Sequence, residues 1–207
     1  MYVRNLRKPS ANKNVYKFVS AKNGCTIMCE SSLEYDCCYH LEYSDDVVSF
    51  ESQPHGYKYF YLGKCHFYTP DFLVHKKDGT FYFIEVKPLS KTFSSEFKYM
   101  FYKKQITANE LGASLLLVTD RQIRNEIHLN NLKLVHRYSG FIENTIHLEN
   151  IWSAISQSTS IQIGSLSRTL NLGIGEVLAL VLRLIGLGRV KTDLDVLLDE
   201  KSLISVN

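Results

Sequence analysis

Asp71, Glu85 and Lys87 are the residues whose types and spacing could do chemistry together. In Ile84-Glu85-Val86-Lys87, strand alternation puts Glu85 and Lys87 on one face and the two apolar residues on the other. Whether Asp71 of Thr69-Pro70-Asp71 joins them depends on the turn at Lys77-Asp78-Gly79. A three-residue loop, a type I turn closed by a left-handed Gly79, sets Lys76 opposite Thr80 and therefore Asp71 opposite Glu85. A two-residue turn pairs Asp71 with Val86 and sends its carboxylate to the other face. Two adjacent carboxylates repel unless a cation neutralises them. A hard ion such as Mg²⁺, with Mn²⁺ as a substitute, suits this role, since it binds one or two carboxylates, waters and phosphate oxygens. Such an ion polarises a phosphodiester and acidifies its bound water. The Lys87 ammonium orients that water or stabilises transition-state charge. The bland alternative is a surface hairpin of alternating charge.

These residues need a sheet with a helix before it. Ser31 and Ser32 can cap a helix that carries Leu33, Cys37, Cys38 and Leu41 at helical spacing and stops near Tyr43. Residues 47–51 read as a strand closed by Gln53-Pro54, and 57–62 as a second strand before a Gly63-Lys64 turn. Phe72-Leu73-Val74 and 80–86 form the hairpin. Ser94 or Ser95 opens a helix with Phe97, Met100 and Phe101 on one side, which Gly112 closes. A strand over 115–118, coming straight after a helix, implies a parallel crossover.

An Asp…Glu-x-Lys set across a hairpin, here with the leading Pro70, resembles the PD-(D/E)XK nuclease superfamily. Ser32-Leu33-Glu34, Leu41-Glu42-Tyr43 and the segment Asp46-Val47-Val48-Ser49-Phe50-Glu51-Ser52-Gln53-Pro54 sharpen this. Together they resemble the TnsA endonuclease family of heteromeric cut-and-paste transposons, over roughly 31–120. The resemblance implies a fourth site residue, Glu34, contributed by the helix before the sheet. It implies a catalytic set of Glu34, Asp71, Glu85 and Lys87, with Asp71, Glu85 and Glu34 holding the metal. The implied substrate is double-stranded DNA at transposon ends, cut at the 5′ ends of the element. The implied partners are a transposase subunit, TnsB, and an ATPase regulator, TnsC, which would bind the C-terminal region. The alternatives are a stand-alone nuclease of restriction or repair type, or a non-catalytic DNA-binding assembly factor with the same fold.

The expected class is α/β, a restriction-endonuclease-like mixed sheet flanked by helices, followed by a small winged-helix domain. The boundary is expected near Phe141, giving 1–140 and 141–207. Beyond it, 150–156, 163–170 and 175–185 read as three helices. Residues 189–206 read as two short strands joined by Asp199-Glu200-Lys201. That is the winged-helix order. The third helix offers only Glu176 and Arg183 as charged residues, and the wing over 191–201 holds four acids against two bases. Groove reading needs polar side chains, so this helix is expected to be core or a protein-docking face.

A chain of 207 residues, 45% hydrophobic, can bury a substantial core and is not a disordered chain. Its longest apolar run is broken by Arg183 and falls short of the ~20 residues a bilayer span requires. No apolar leader follows the charged start, and the odd, irregular cysteines read as reduced thiols, so a bacterial cytoplasm is expected and no membrane. Arg4, Arg7, Lys8, Lys13, Lys17 and Lys22 all precede the first acid, Glu30, and form a basic arm suited to a polyanion. Lys103 and Lys104 are candidates for phosphate contact or for plain solvation, and Gln105 for a polar place near the site. His66 and His75 are poor Mg²⁺ ligands. Cys25, Cys29, Cys37 and Cys38 lack zinc-site spacing.

Overall fold

The computed structural model describes residues 14–140 and 146–207, and the chain divides after Arg124 into two units. The first opens with a hairpin, β1 (Tyr16–Ser20) and β2 (Cys25–Cys29), followed by helix α1 (Ser32–Tyr43). Ser31 caps α1 by accepting the Glu34 amide at 3.1 Å, the role its sequence position suggests. Strands β3 (Val47–Ser52), β4 (Tyr57–Tyr61), β5 (Lys64–Tyr68), β6 (Phe72–Lys76) and β7 (Phe81–Lys87) come next. Helix α2 (Ser95–Glu110), strand β8 (Ser114–Thr119) and the short helix α3 (Asp120–Ile123) complete the unit.

The central sheet has the order β3-β6-β7-β8, antiparallel except for the parallel pair β7–β8 that the α2 crossover makes possible. Its two faces are covered differently. Cys37 and Leu41 of α1, with Ile123 of α3, look across a cleft at Ile84, Leu116 and Val118. On the other face Phe83 and Leu115 pack under Phe101 and Ala108 of α2 and the tyrosines Tyr57, Tyr59 and Tyr68 of the β4–β5 hairpin. Alternation along β7 therefore sends Ile84 one way and Glu85 the other.

The second unit begins with helix α4 (Glu126–Ser139), continues through α5 (Ile146–Ser156), β9 (Ile161–Gln162), α6 (Ile163–Leu170) and α7 (Ile174–Gly186), and ends in β10 (Val190–Lys191) and β11 (Leu203–Val206). The short strands pair antiparallel in the order β10-β11-β9. Leu148, Ile151, Leu166, Val177, Val181 and Ile204 form its core. Helix α7 is thus chiefly a core element.

The chain divides after Arg124, whereas the expected boundary near Phe141 lies outside the described residues. Helix α4 belongs with the C-terminal elements because Asn131 Nδ2 donates to the carbonyls of Leu194 and Val196, at 2.9 and 2.7 Å. Gly186 of α7 also lets that helix approach Ser139 closely; a Cβ there would lie 2.9 Å from the serine Cβ. No single helix among the described residues is long and apolar enough to cross a membrane.

Of the basic arm, Arg4, Arg7, Lys8 and Lys13 lie outside the described residues. Lys17 is exposed on β1. Lys22 is not a free phosphate-binding charge: its ammonium donates to the carbonyls of Leu41 and Ser44, at 2.9 and 2.7 Å, and ties the hairpin to the end of α1.

Candidate active site

The β6–β7 turn decides the site. Lys76 N donates to Thr80 O at 2.9 Å, Gly79 N donates back to Lys76 O at 3.1 Å, and Gly79 sits at φ +81°. This is the three-residue loop. Phe72 pairs with Ile84, which sets Asp71 one step on, level with Glu85. Asp71 N donates to Ile84 O, and its carboxylate Oδ2 accepts the Val86 amide at 2.7 Å.

Glu85 is 3% exposed and heavily partnered. Lys87 Nζ lies 3.2 Å from Oε1, Lys104 Nζ lies 3.4 Å from both oxygens, and the Tyr68 hydroxyl donates to Oε2. The Lys104 ammonium also sits 3.8 Å above the Tyr68 ring, a cation–π contact in a dry setting. Burial lowers the Lys104 pKa although Glu85 works to raise it. Burial favours neutral Lys87 as well, but there Glu85, Asp71 and Glu34 prevail and hold the ammonium above its usual pKa.

Asp71 shows the opposite imbalance. Burial, helped by repulsion from Glu85 and Glu34, pushes its pKa up to about 7, against the pull of Lys87 and the Val86 amide. Its Oδ1 accepts only a long bond from Gln53 Nε2, at 3.4 Å. Gln53 also donates its own amide to Asp71 O at 2.9 Å, from a left-handed backbone at φ +48°. The Gln-Pro element therefore braces Asp71 at both backbone and side chain.

Glu34 acts on Asp71 and Lys87 electrostatically, yet its oxygens cap α1: Oε1 accepts from Ser31 Oγ at 2.8 Å and Oε2 from Glu30 N at 2.9 Å. Among the described residues, no group of three His, Cys, Asp or Glu is arranged to hold a metal ion. Asp71 and Glu85 are the two carboxylates on adjoining segments of the hairpin, and Glu34 stands near enough to act on Asp71 and Lys87. Those two do fit a hard ion. The donors are all oxygen, and the three carboxylates Glu34, Asp71 and Glu85 outnumber the ammonium groups of Lys87 and Lys104.

The other candidates fall elsewhere. Lys104 neither solvates a surface nor reaches phosphates; it is buried against Glu85. Gln105 donates to Leu115 O at 3.1 Å, a packing role, and Lys103 sits over the Tyr99 ring. His66 lies beside the Tyr59 and Tyr61 rings, and His75 beside Phe81. Cys29 and Cys38 are buried as neighbouring thiols, Sγ to Sγ 3.5 Å. Sequence reasoning missed Tyr68 altogether. Its only local signal is the alternation that makes β5 turn a tyrosine inward beside Pro70-Asp71. Gly56 keeps that strand close, since a Cβ there would run into the Tyr68 carbonyl.

Residues 44–120 match the model of the family described as TnsA-like endonuclease N terminal. Over this segment the chain is similar to a TnsA-like endonuclease domain. No curated protein matches the chain. The TnsA-like segment contains Gln53, Tyr68, Asp71, Glu85, Lys87 and Lys104, so every buried partner of Glu85 falls inside it. Glu34 and the whole second unit fall outside the matched residues.

Proposed function

We propose that the chain is a transposon-end endonuclease subunit that hydrolyses phosphodiester bonds at the 5′ ends of the element in a Mg²⁺-dependent reaction. The observation that carries this is that Asp71, just before β6, accepts the Val86 amide between Glu85 and Lys87 of β7, inside a segment similar to a TnsA-like endonuclease domain. Mg²⁺ held by Asp71 and Glu85 would supply Lewis-acid polarisation of the scissile phosphate and acidify a bound water. Lys104 and Tyr68 anchor Glu85 from the buried side, which fixes its carboxylate. Lys87 has a partly exposed side chain whose ammonium lies 3.2 Å from Glu85, where it would stabilise charge on the reacting phosphorus oxygens. Gln53 holds Asp71 in register, and Glu34 adds negative charge that keeps Lys87 protonated.

After α4, the second unit continues with helices α5 to α7 and then paired short strands, which supports a winged-helix-like reading of that part. The third helix buries Val177, Val181 and Leu184, so base reading by that helix has little to work with. A protein-binding role for this unit, toward a TnsC-type ATPase, with a TnsB-type transposase making the complementary cuts, completes the proposal. A stand-alone nuclease with the same core differs in needing no partner.

The deciding experiment is cleavage of transposon-end DNA by the full chain, with and without a partner transposase, in Mg²⁺, Mn²⁺ or chelator. Asp71→Ala should abolish 5′-strand cleavage, a loss of at least several kcal/mol in transition-state stabilisation, while the protein stays folded. Cleavage at wild-type rate by that variant would place the site elsewhere.

A further inference from the structure

Beside the site stands a surface that the cleavage chemistry does not use. The β4–β5 hairpin turns Tyr57, Tyr59 and Tyr68 inward onto Phe83 and α2, and alternation turns Lys58, Phe60 and Phe67 outward. Phe60 is 70% exposed and Phe67 74%, unusual values for two phenylalanines on one ribbon face. Lys58 Nζ lies 4.9 Å from the Phe67 ring centroid, so an ammonium already rests on this aromatic face. Residues 57–68 contain Lys58 and Lys64 and no Asp or Glu. Such a face suits a polyanion better than a protein core.

The direction of the ribbon links it to the site. Strand β7 ends at Lys87, α2 starts soon after at Ser95, and α2 runs back to feed β8, whose first residue pairs with Tyr82. The start of α2 therefore lies at the Lys87 end of the sheet. The Tyr57 hydroxyl donates to Lys104 O at 3.1 Å, whereas the Tyr61 ring lies 5.7 Å from that of Tyr99. Strand β4 thus travels along α2 toward the helix start, and the hairpin tip points to the end of the sheet that carries Lys87.

We propose that the β4–β5 hairpin is a DNA-contacting ribbon, with Lys58 and Lys64 on backbone phosphates and Phe60 and Phe67 stacked on bases unpaired next to the scissile bond. The inference rests on the nuclease reading for its substrate. Aromatic rings accept any base face without sequence choice, and lysines beside them follow the backbone. The occupant is DNA opened near the cut, rather than an intact duplex whose bases are already stacked.

The test measures binding of the full chain, without cleavage, to a plain duplex and to the same duplex carrying unpaired adenines with one 2-aminopurine. The wild type should bind the opened DNA more tightly and change the 2-aminopurine emission by stacking. F60S/F67S should lose about tenfold on opened DNA and the emission change, with duplex binding nearly intact. K58A/K64A should weaken both DNAs and reduce the salt slope by about two. Unchanged binding in F60S/F67S, absence of DNA binding by the wild type, or a change from dimer to monomer on that substitution would each overturn the proposal. A chain that binds opened DNA through the phenylalanines yet never cuts keeps this inference and sinks the active-site reading. Cleavage that ignores the phenylalanines does the reverse.

Discussion

The two units differ in what they bury. Among the described residues, the first encloses Glu34, Asp36, Glu42, Glu85 and Lys104, whereas the polar residues buried in the second are only Asn131 and Ser202. The second unit is built on aliphatic contacts: Leu148, Ile151, Ile155, Leu166, Val177 and Val181 are essentially inaccessible. Burying charge costs several kcal/mol per ion before partners offset it. Some of these charges are structural. Glu42 accepts from Ser20 Oγ at 2.6 Å and Lys22 N at 2.9 Å, and Asp36 accepts from Arg124 Nε at 3.0 Å. Glu85 is different because two lysines and a tyrosine converge on one carboxylate while Asp71 beside it stays under-compensated. The comparison teaches that the first unit carries the buried charge, at the proposed site and at structural ties such as Glu42 and Asp36, while the second is held by aliphatic packing.

The sharpest way to break this comparison is Lys104→Met. It leaves Glu85 with an unbalanced share of buried charge and should destabilise the first unit by about 3 kcal/mol. Glu85→Gln in the same chain should recover most of that loss while cleavage stays absent. Hydrogen exchange on β7 and β8 reads the first unit, and Trp152, the chain's single tryptophan, reads the second. Equal loss in both units would show that the charge cluster is not locally confined.

A pH series separates the units next. Fold contacts keep the proton on Asp71 up to about pH 7, whereas its ordinary value is 3.8. The folded state therefore binds the extra proton in that window, and stability falls as pH rises from about 4 through about 7, by at most about 4 kcal/mol. Mg²⁺ should reverse the loss, strongly at pH 8 and weakly at pH 5, because protons compete for the same oxygens. The Trp152 signal should not follow this profile. A metal-free first unit whose stability is flat between those values would show that burial does not hold the proton on Asp71.

The smallest effect belongs to the second unit. Asn131→Ala leaves the Leu194 and Val196 carbonyls without their donor and should cost about 1–2 kcal/mol, read by Trp152 fluorescence in urea. Cleavage by the variant should equal the wild type once both are folded. A larger loss, or an altered cleavage rate, would tie the units together energetically.

Much of the site was legible in the residues themselves. Strand alternation determined that Glu85 and Lys87 share a face, and the three-residue turn at Lys77-Asp78-Gly79 determined the register that brings Asp71 level with Glu85. Both are local rules, with period two and fixed turn geometry, so they need no tertiary knowledge. Helices α1 and α2, the parallel β8 and the Ser31 cap follow from equally local signals. The β1–β2 hairpin and α4 escaped because nothing nearby in sequence announces what they pack against. Helix α4 lies beside Gly140, a natural stopping signal, and only the Asn131 bonds to a loop more than sixty residues away assign it to the second unit.

Tertiary structure alone decided the surroundings of Glu85. Lys104 looked like half of an ordinary Lys-Lys pair on a helix surface, and only the tilt of α2 over β7 turns it into the buried cation of the site. Tyr68 belongs to another hairpin and reaches Glu85 only because that hairpin folds over the same sheet face. Gln53 was legible as a marker but not as a brace, since its left-handed backbone and its bond to Asp71 depend on how β3 meets β6. The physical reason is common to all three. Periodicity says which way a side chain points from its own element, whereas desolvation and charge at a site depend on which other elements close over it.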